Sequence, residues 1–172
     1  MKRLRLAFTV AAFTFAVAVS ADEVKLSNVH LCCNACVKGA EKAAAKAAGA
    51  TVTVDKDAGT VAISASNKAA IQQAVDALVA AGYYGKSSDA SVKLAANAGA
   101  TDAKVSSLKL EGVHLCCAKC VTAVQKAVSS VAGVKGNTAE KNAKVFEVTG
   151  DFSAKAVLDA LHNAGLTGNV AK

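Results

Sequence analysis

Apolar positions recur along the chain with spacings that predict a series of short strands and helices. Residues 24–29 have the pattern of a strand, and the apolar side chains of residues 37–47 recur at steps of three and four, which indicates one buried helix face. Apolar and polar residues then alternate on both sides of a turn at residues 57–59, as in a β-hairpin. Residues 71–78 have the spacing of a second helix, which stops before Gly82. The predicted order is strand, helix, strand, strand, helix, short strand.

The same series of elements is predicted a second time, because the chain contains an internal repeat. Residues 25–36 match residues 109–120 at an offset of 84, and residues 76–82 match residues 159–165 at an offset of 83. One residue is therefore missing from a loop or strand of the second copy. In that copy a glycine and an asparagine interrupt the strand pattern after Gly133.

The repeat divides the chain into two units, at residues 22–88 and 105–172. Residues 89–104 are rich in Ser, Ala, Asn and Gly and are predicted to link them, although residues 92–94 could instead extend the last strand of the first unit. Two helices on one face of an antiparallel sheet make each unit an α+β sandwich. A core of this size adds only about a few kcal/mol of net stability, so each unit is marginal alone.

Residues 1–21 predict a cleaved signal peptide. Lys2, Arg3 and Arg5 precede an apolar run, which ends in small residues before Asp22. The run is shorter than the roughly 20 residues that a membrane span needs. We therefore expect a mature chain that begins near Asp22, is periplasmic or secreted, and has no stable membrane insertion after cleavage.

Charge and motif content argue against nucleic acid binding and catalysis. The sequence has 20 basic and 13 acidic residues, and three basic residues lie in the predicted signal peptide, so the remainder carries a formal charge of +4. Its basic residues are all lysines, spread along the chain without the arginine forks or interleaved aromatic residues of nucleic-acid-binding proteins. The sequence offers no Ser-His-Asp set, phosphate-binding glycine loop or paired carboxylates, and we expect no enzymatic activity.

Each unit carries the motif His-Leu-Cys-Cys-x-x-Cys, at residues 30–36 and 114–120, and the two copies contain all six cysteines. Three cysteines cannot all pair within one unit, so a disulfide framework fits poorly. We expect the last cysteine of each motif to start a helix, whose N-terminus favours the thiolate form of the Cys-x-x-Cys pair. This geometry suits metal capture and also thiol–disulfide exchange, and the spacing does not choose between them.

The motif resembles the Gly-Met-x-Cys-x-x-Cys loop of heavy-metal-associated domains, found in copper chaperones, in the N-terminal domains of metal-transporting ATPases and in periplasmic mercury-binding proteins. The resemblance covers both units almost entirely, including Ala-Gly-Tyr at residues 81–83 and Ala-Gly-Leu at residues 164–166. It implies two ferredoxin-like (βαββαβ) sandwiches in tandem. It also implies metal donor or acceptor proteins as partners, for example a metal-transporting ATPase or permease. The implied metal ligands are Cys33, Cys36, Cys117 and Cys120.

Two departures from the family's loop bear on the choice of metal. His30 and His114 replace its glycine, and Cys32 and Cys116 add a thiol beside the first ligand. Two thiolates suit linear Cu(I) or Hg(II), whereas a third thiolate suits tetrahedral Zn(II) or Cd(II), or a three-sulfur site. Adjacent side chains diverge on an extended backbone, so Cys32 and Cys116 either join through a sharp turn or are small buried residues. We expect His30 and His114 to support the loop, with metal binding as the weaker alternative. Tyr83 is expected to pack at the rim of the loop.

We therefore predict an exported protein that holds one soft or borderline metal ion per unit, copper, zinc or mercury, and passes it to a partner by ligand exchange. The units either act independently or close on a single ion. The alternative is thiol–disulfide exchange or redox sensing by the same cysteines, although a chain without proline lacks the cis-proline of thioredoxin-like folds. A passive interaction module would require the cysteines to be incidental.

Overall fold

A computed structural model describes residues 22–95 and 99–171, which form two α+β units of the same architecture. The predicted signal peptide, residues 1–21, lies outside these residues. Within the two described ranges, no helix combines the length and the apolar character that crossing a membrane requires.

The first unit has the order of elements that the apolar pattern predicts. These elements are β1 (Asp22–Ser27), α1 (Asn34–Ala44), β2 (Ala50–Asp55), β3 (Thr60–Ala65), α2 (Lys68–Ala80) and β4 (Lys86–Ser87). All neighbouring strands are antiparallel, in the order β2-β3-β1-β4. Both helices pack on this sheet and on each other. The connectivity and strand order are those of a ferredoxin-like sandwich.

The second unit repeats this topology. Its elements are β5 (Lys104–Glu111), α3 (Ala118–Ser129), β6 (Val134–Asn137), β7 (Val145–Ser153), α4 (Ala154–Asn163) and β8 (Asn169–Val170). The strands pair antiparallel in the order β6-β7-β5-β8. The strand whose predicted pattern is interrupted is the short β6, which shifts register against β7 between Val134 and Gly136.

Alternation along the strands directs one face of each sheet against the helices. In β1, Val24 and Leu26 are buried between exposed neighbours, and α2 places Ile71 and Leu78 in the same core. The helix α2 begins where the side chain of Asn67 accepts a hydrogen bond from the backbone N–H of Ala70, 2.9 Å away, which satisfies one free donor of the first turn. The periodicity of the sequence thus accounts for both cores.

The first helix of each unit begins earlier than the sequence analysis expected. The helices α1 and α3 start after Cys33 and Cys117, which occupy the N-cap positions with an extended backbone. The last cysteines of the motifs, Cys36 and Cys120, therefore lie within the first helical turn rather than at its start. Each Cys-x-x-Cys pair spans a helix N-terminus.

Part of the predicted linker packs with the first unit. The side chain of Val92 is buried in the core of that unit, and the backbone N–H of Lys93 donates a hydrogen bond to the side chain of Gln72 on α2. Residues 92–94 are not a strand, so the alternative of an extended last strand is not realised.

The two units meet through reciprocal main-chain hydrogen bonds at the glycines that end α2 and α4. The carbonyl of Gly82 accepts from the N–H of Thr167 at 3.0 Å, and the carbonyl of Gly165 accepts from the N–H of Tyr84 at 3.2 Å and of His30 at 3.1 Å. Both glycines have positive φ. A Cβ at Gly165 would lie 2.4 Å from a backbone carbonyl oxygen of the other unit. The contact therefore requires glycine at this position.

Candidate metal centre

The cysteine loops are positioned by buried leucines and by the N-termini of α1 and α3. Leu31 and Leu115 are buried directly before the cysteines. Cys33 and Cys117 are the N-cap residues, yet their side chains make no capping hydrogen bond. Their sulfur atoms are consequently directed to other partners.

The six sulfur atoms form one cluster where the two units meet. The Cys-x-x-Cys sulfurs lie 3.6 Å apart in the first unit and 3.7 Å apart in the second. Between units, the Sγ atom of Cys32 lies 3.4 Å from that of Cys117 and 3.5 Å from that of Cys120. The Sγ atom of Cys36 lies 3.5 Å from that of Cys116 and 3.7 Å from that of Cys120. The two predicted sites are thus one site, and its thiols are free.

Cys32 and Cys116 face the other sulfurs rather than diverge from them. The Sγ atom of Cys32 lies 3.6 Å from that of Cys36, and the Sγ atom of Cys116 lies 3.7 Å from that of Cys120. Each unit therefore contributes three sulfurs to the cluster.

Several subsets of these side chains are close enough to bind one metal ion. In each subset the donor atoms lie within 4.8 Å of one another. The subsets are Cys36, His114, Cys116 and Cys120; His30, Cys32 and Cys120; and Cys32, Cys33 and Cys117. All three combine residues of both units, so these donor sets span the contact between the units.

The crowded thiols do not ionise alike. Hydrogen bonding from the Cys120 thiol lowers the pKa of Cys36, and the same contact together with burial raises the pKa of Cys120. The field of the backbone N–H of Cys120, in the first turn of α3, lowers the pKa of Cys117 to about 6 although the two groups do not meet the geometry of a capping hydrogen bond. Burial raises the pKa of Cys32 and brings that of Cys116 to about 12. The cluster without a cation thus holds a mixture of thiolates and thiols, and a bound cation would displace the remaining protons.

His114 is held against the cluster by a tyrosine of the other unit. The hydroxyl of Tyr83 donates to the backbone carbonyl of Cys36 at 2.8 Å and lies 3.1 Å from Nε2 of His114. Because the hydroxyl has a single proton, Nε2 of His114 carries the proton of that second hydrogen bond. A ring nitrogen of His114 lies within 4.8 Å of the sulfur atoms of Cys36, Cys116 and Cys120.

His30 occupies the equivalent position in the first unit but lacks such a partner. Leu166 stands in the second unit where Tyr83 stands in the first, and the two residues form an isolated antiparallel bridge. Among the described residues, Nε2 of His30 is buried without a hydrogen-bond partner. Burial lowers the pKa of His30, which favours the neutral imidazole.

Room for the tyrosine comes from a glycine on α1. A Cβ at Gly39 would lie 2.4 Å from the Tyr83 hydroxyl oxygen, whereas the equivalent position on α3 is Ala123. Sequence reasoning placed Tyr83 at the loop rim and missed its hydrogen bond to His114 of the other unit. The signal was available, because Gly39 and Tyr83 depart together from Ala123 and Leu166 in the repeat.

The cluster is partly accessible to solvent. Cys32, Cys33, Cys116 and Cys117 are partly exposed, whereas Cys36 and Cys120 are buried. A cleft beside Cys116 is lined in part by His114 and Asn142. An incoming ligand thus meets the four outer thiols first.

Comparison with known proteins gives limited matches. No family model and no curated protein matches the sequence, so the resemblance to heavy-metal-associated domains stays a prediction. Among solved structures, the chain is similar to the N-terminal soluble domains of CopA from Bacillus subtilis, determined in solution. The two share 16% sequence identity with a TM-score of 0.34, over 88% of this chain and 95% of that one.

Proposed function

We propose that this protein binds soft heavy-metal ions on the six cysteines between its two ferredoxin-like units and transfers them to a partner protein. The observation that carries the proposal is the meeting of both motifs in one cluster, with sulfur atoms of different units as close as 3.4 Å. Thiolates select the soft ions Cu(I) and Hg(II) and the borderline ion Zn(II) over hard cations.

The surroundings of the sulfurs suit a cationic ligand. Several thiolates within contact distance repel one another, and a bound cation removes that repulsion. The buried sulfurs of Cys36 and Cys120 lie among apolar side chains, since both pack in the hydrophobic core of the first unit. A soft ion there is shielded from water, while the partly exposed thiols allow a partner's thiolates to exchange with them.

The proposal places the protein outside the cytoplasm, in the periplasm or secreted, because of the predicted signal peptide. Its role there is that of a carrier, not of an enzyme. A metal donor or acceptor protein, such as a metal-transporting ATPase or permease, is the expected partner.

Titration of the reduced full chain with Cu(I), Zn(II) and Hg(II) tests the proposal. We expect tight binding of at least one of them, with loss of free thiols in a thiol-reagent assay. The variant in which all six cysteines are replaced by serine should bind none, while circular dichroism checks its fold. A wild-type protein that binds none of the three ions would refute metal binding.

The close thiols also favour the alternative of redox chemistry, since Cys32 and Cys117 lie 3.4 Å apart. Assay of the metal-free protein on a disulfide substrate separates the two functions. Turnover of that substrate at a rate that metal loading leaves unchanged would favour thiol–disulfide exchange. Protection of the thiols from oxidation by bound metal would favour the carrier function.

A further inference from the structure

The six sulfur atoms lie at the corners of a distorted octahedron. Apart from the two edges between sequence neighbours, each edge is a sulfur–sulfur contact of 3.4–4.0 Å. Of the two remaining edges, the one between Cys32 and Cys33 joins donor atoms within 4.8 Å of each other. The pairs of opposite corners are Cys32 and Cys116, Cys33 and Cys120, and Cys36 and Cys117.

These contacts join the sulfurs in threes and not in fours. Cys32, Cys36 and Cys120 are mutually 3.5–3.7 Å apart, and Cys36, Cys116 and Cys120 form a second such triangle. Among the described thiols, no four are all joined to one another by these contacts. This pattern provides sites for three-coordinate ions.

The size of the triangles fits such ions. With metal–sulfur bonds of about 2.3 Å, a three-coordinate ion needs sulfurs about 4.0 Å apart, whereas tetrahedral Zn(II) needs four sulfurs mutually about 3.8 Å apart. The triangle edges of 3.5–3.7 Å must lengthen by only about 0.3–0.5 Å to meet the first requirement, whereas the described residues offer no four mutually joined sulfurs to meet the second. Cu(I) is a soft ion that thiolates select and that forms three-sulfur sites.

We infer that the cluster takes four Cu(I) ions as one thiolate-bridged unit, an inference that rests on the proposed function and specifies its ion, number and geometry. Four alternate faces of an octahedron share corners but no edges, so an ion on each face makes every sulfur a bridge between two ions. One such set of faces is Cys32–Cys33–Cys36, Cys32–Cys117–Cys120, Cys33–Cys116–Cys117 and Cys36–Cys116–Cys120.

Loading is a proton-for-copper exchange without electron transfer. Four Cu(I) ions and six thiols give a [Cu4(SR)6]2− unit and six protons, so charge and atoms balance. The N-termini of α1 and α3 end at Cys33 and Cys117 in the cluster and each supplies roughly half a positive elementary charge. The two helices therefore offset much of the residual negative charge.

The geometry also makes loading cooperative between the units. In either set of alternate faces, three of the four triangles contain sulfurs of both units. The first ion bound across the contact fixes the two units together and completes the remaining faces. Partly loaded forms should accordingly be scarce at half saturation.

Anaerobic titration of the reduced chain with Cu(I) against a competing chelator tests this inference. Native mass spectrometry is expected to give four copper ions per monomer, with the metal-free and four-copper forms dominant at half loading. X-ray absorption is expected to give three sulfurs per copper and a Cu–Cu scattering path. Two ions per chain with two sulfurs each and no Cu–Cu path would overturn the cluster and leave soft-metal binding intact. No bound copper would overturn the cluster, and the proposed function falls with it only if Zn(II) and Hg(II) also fail to bind.

Two double variants with four sulfurs each provide a matched comparison. Every octahedral face contains Cys32 or Cys116, so C32S/C116S should lose all three-sulfur coordination although both Cys-x-x-Cys motifs remain. C32S/C33S removes neighbouring corners and keeps two faces that share the edge Cys116–Cys120, so three-sulfur coordination should persist although one motif is destroyed. The opposite ranking, or equal coordination in the two variants, would overturn the octahedral arrangement. Circular dichroism checks that both variants fold. The copper stoichiometry of the wild-type chain tests the inference without any substitution.

Discussion

Tyr83 connects the two halves of the cysteine site through its hydroxyl group. That hydroxyl donates to the carbonyl of Cys36 on its own unit and lies 3.1 Å from Nε2 of His114 on the other. The Y83F variant leaves the buried carbonyl of Cys36 and the partly buried ring of His114 without this partner, so we expect a loss of about 1–3 kcal/mol in the free energy of unfolding. Urea denaturation measures it, with Y84F as the control because the half-buried Tyr84 stacks on His162 through its ring. Equal stability of Y83F and wild type would contradict the bridging role.

Gly39 and Tyr83 should be energetically coupled. In the wild type, G39A places a methyl group 2.4 Å from the tyrosine hydroxyl oxygen, so we expect destabilisation by about 1–3 kcal/mol. In the Y83F background that oxygen is absent and the nearest remaining atom is Cε1 of His114 at 3.3 Å, so the cost of alanine should fall to about zero, helped by its higher helix propensity. A double-mutant cycle by denaturant unfolding measures the coupling. Additive effects would show that the glycine is unrelated to the tyrosine.

At the scale of elements, the glycine that ends α4 also forms the contact between the units. Gly165 and Gly49 have nearly equal φ values, +76° and +78°, but a Cβ at Gly165 meets the backbone of residues 28–30 whereas at Gly49 it meets nothing within 4 Å. G49A should therefore cost only the strain of the left-handed conformation, about 1–2 kcal/mol, and retain metal stoichiometry. G165A should in addition separate the units and lower the number of Cu(I) ions per chain. Titration of both variants compares them, and equal stoichiometry would contradict this prediction.

The sequence was sufficient to predict these elements but not their assembly. Periodicity gave the strand and helix order, because Val24, Leu26 and Ile71 bury one face of each element within a unit. The start of α1 was misplaced, since the cysteine at the N-cap position makes no capping hydrogen bond and resembles no capping residue. The units contact each other through main-chain groups, glycines and thiols. Such groups produce no periodic pattern of apolar residues in the sequence. The joint cluster could therefore not be predicted from the pattern, although its thiols were.

At the scale of the whole molecule, shared sulfurs make metal binding a link between the two units. The covalent linker alone holds the units at an effective concentration on the order of millimolar. In the intact chain, the stabilisation of the contact by metal therefore cannot be distinguished from that by the linker. We expect a chain with a protease site inserted after Ala95 to yield, once cut, two fragments that separate at micromolar concentration. With Cu(I) bound they should stay together, because binding restricted to the closed form stabilises it by about 4 kcal/mol at a thousandfold excess over the dissociation constant.

Size-exclusion chromatography of the cut protein, with and without Cu(I), measures this linkage. The same insertion in C32S/C116S provides the control, since that variant retains both Cys-x-x-Cys motifs but lacks the two sulfurs that complete every face of the octahedron. Its fragments should separate more readily in the presence of Cu(I) than those of the wild-type sequence. Cut wild-type fragments that each retain copper while eluting apart would mean that the units bind metal independently. The closed arrangement would then be a contact between two carriers and not a single site.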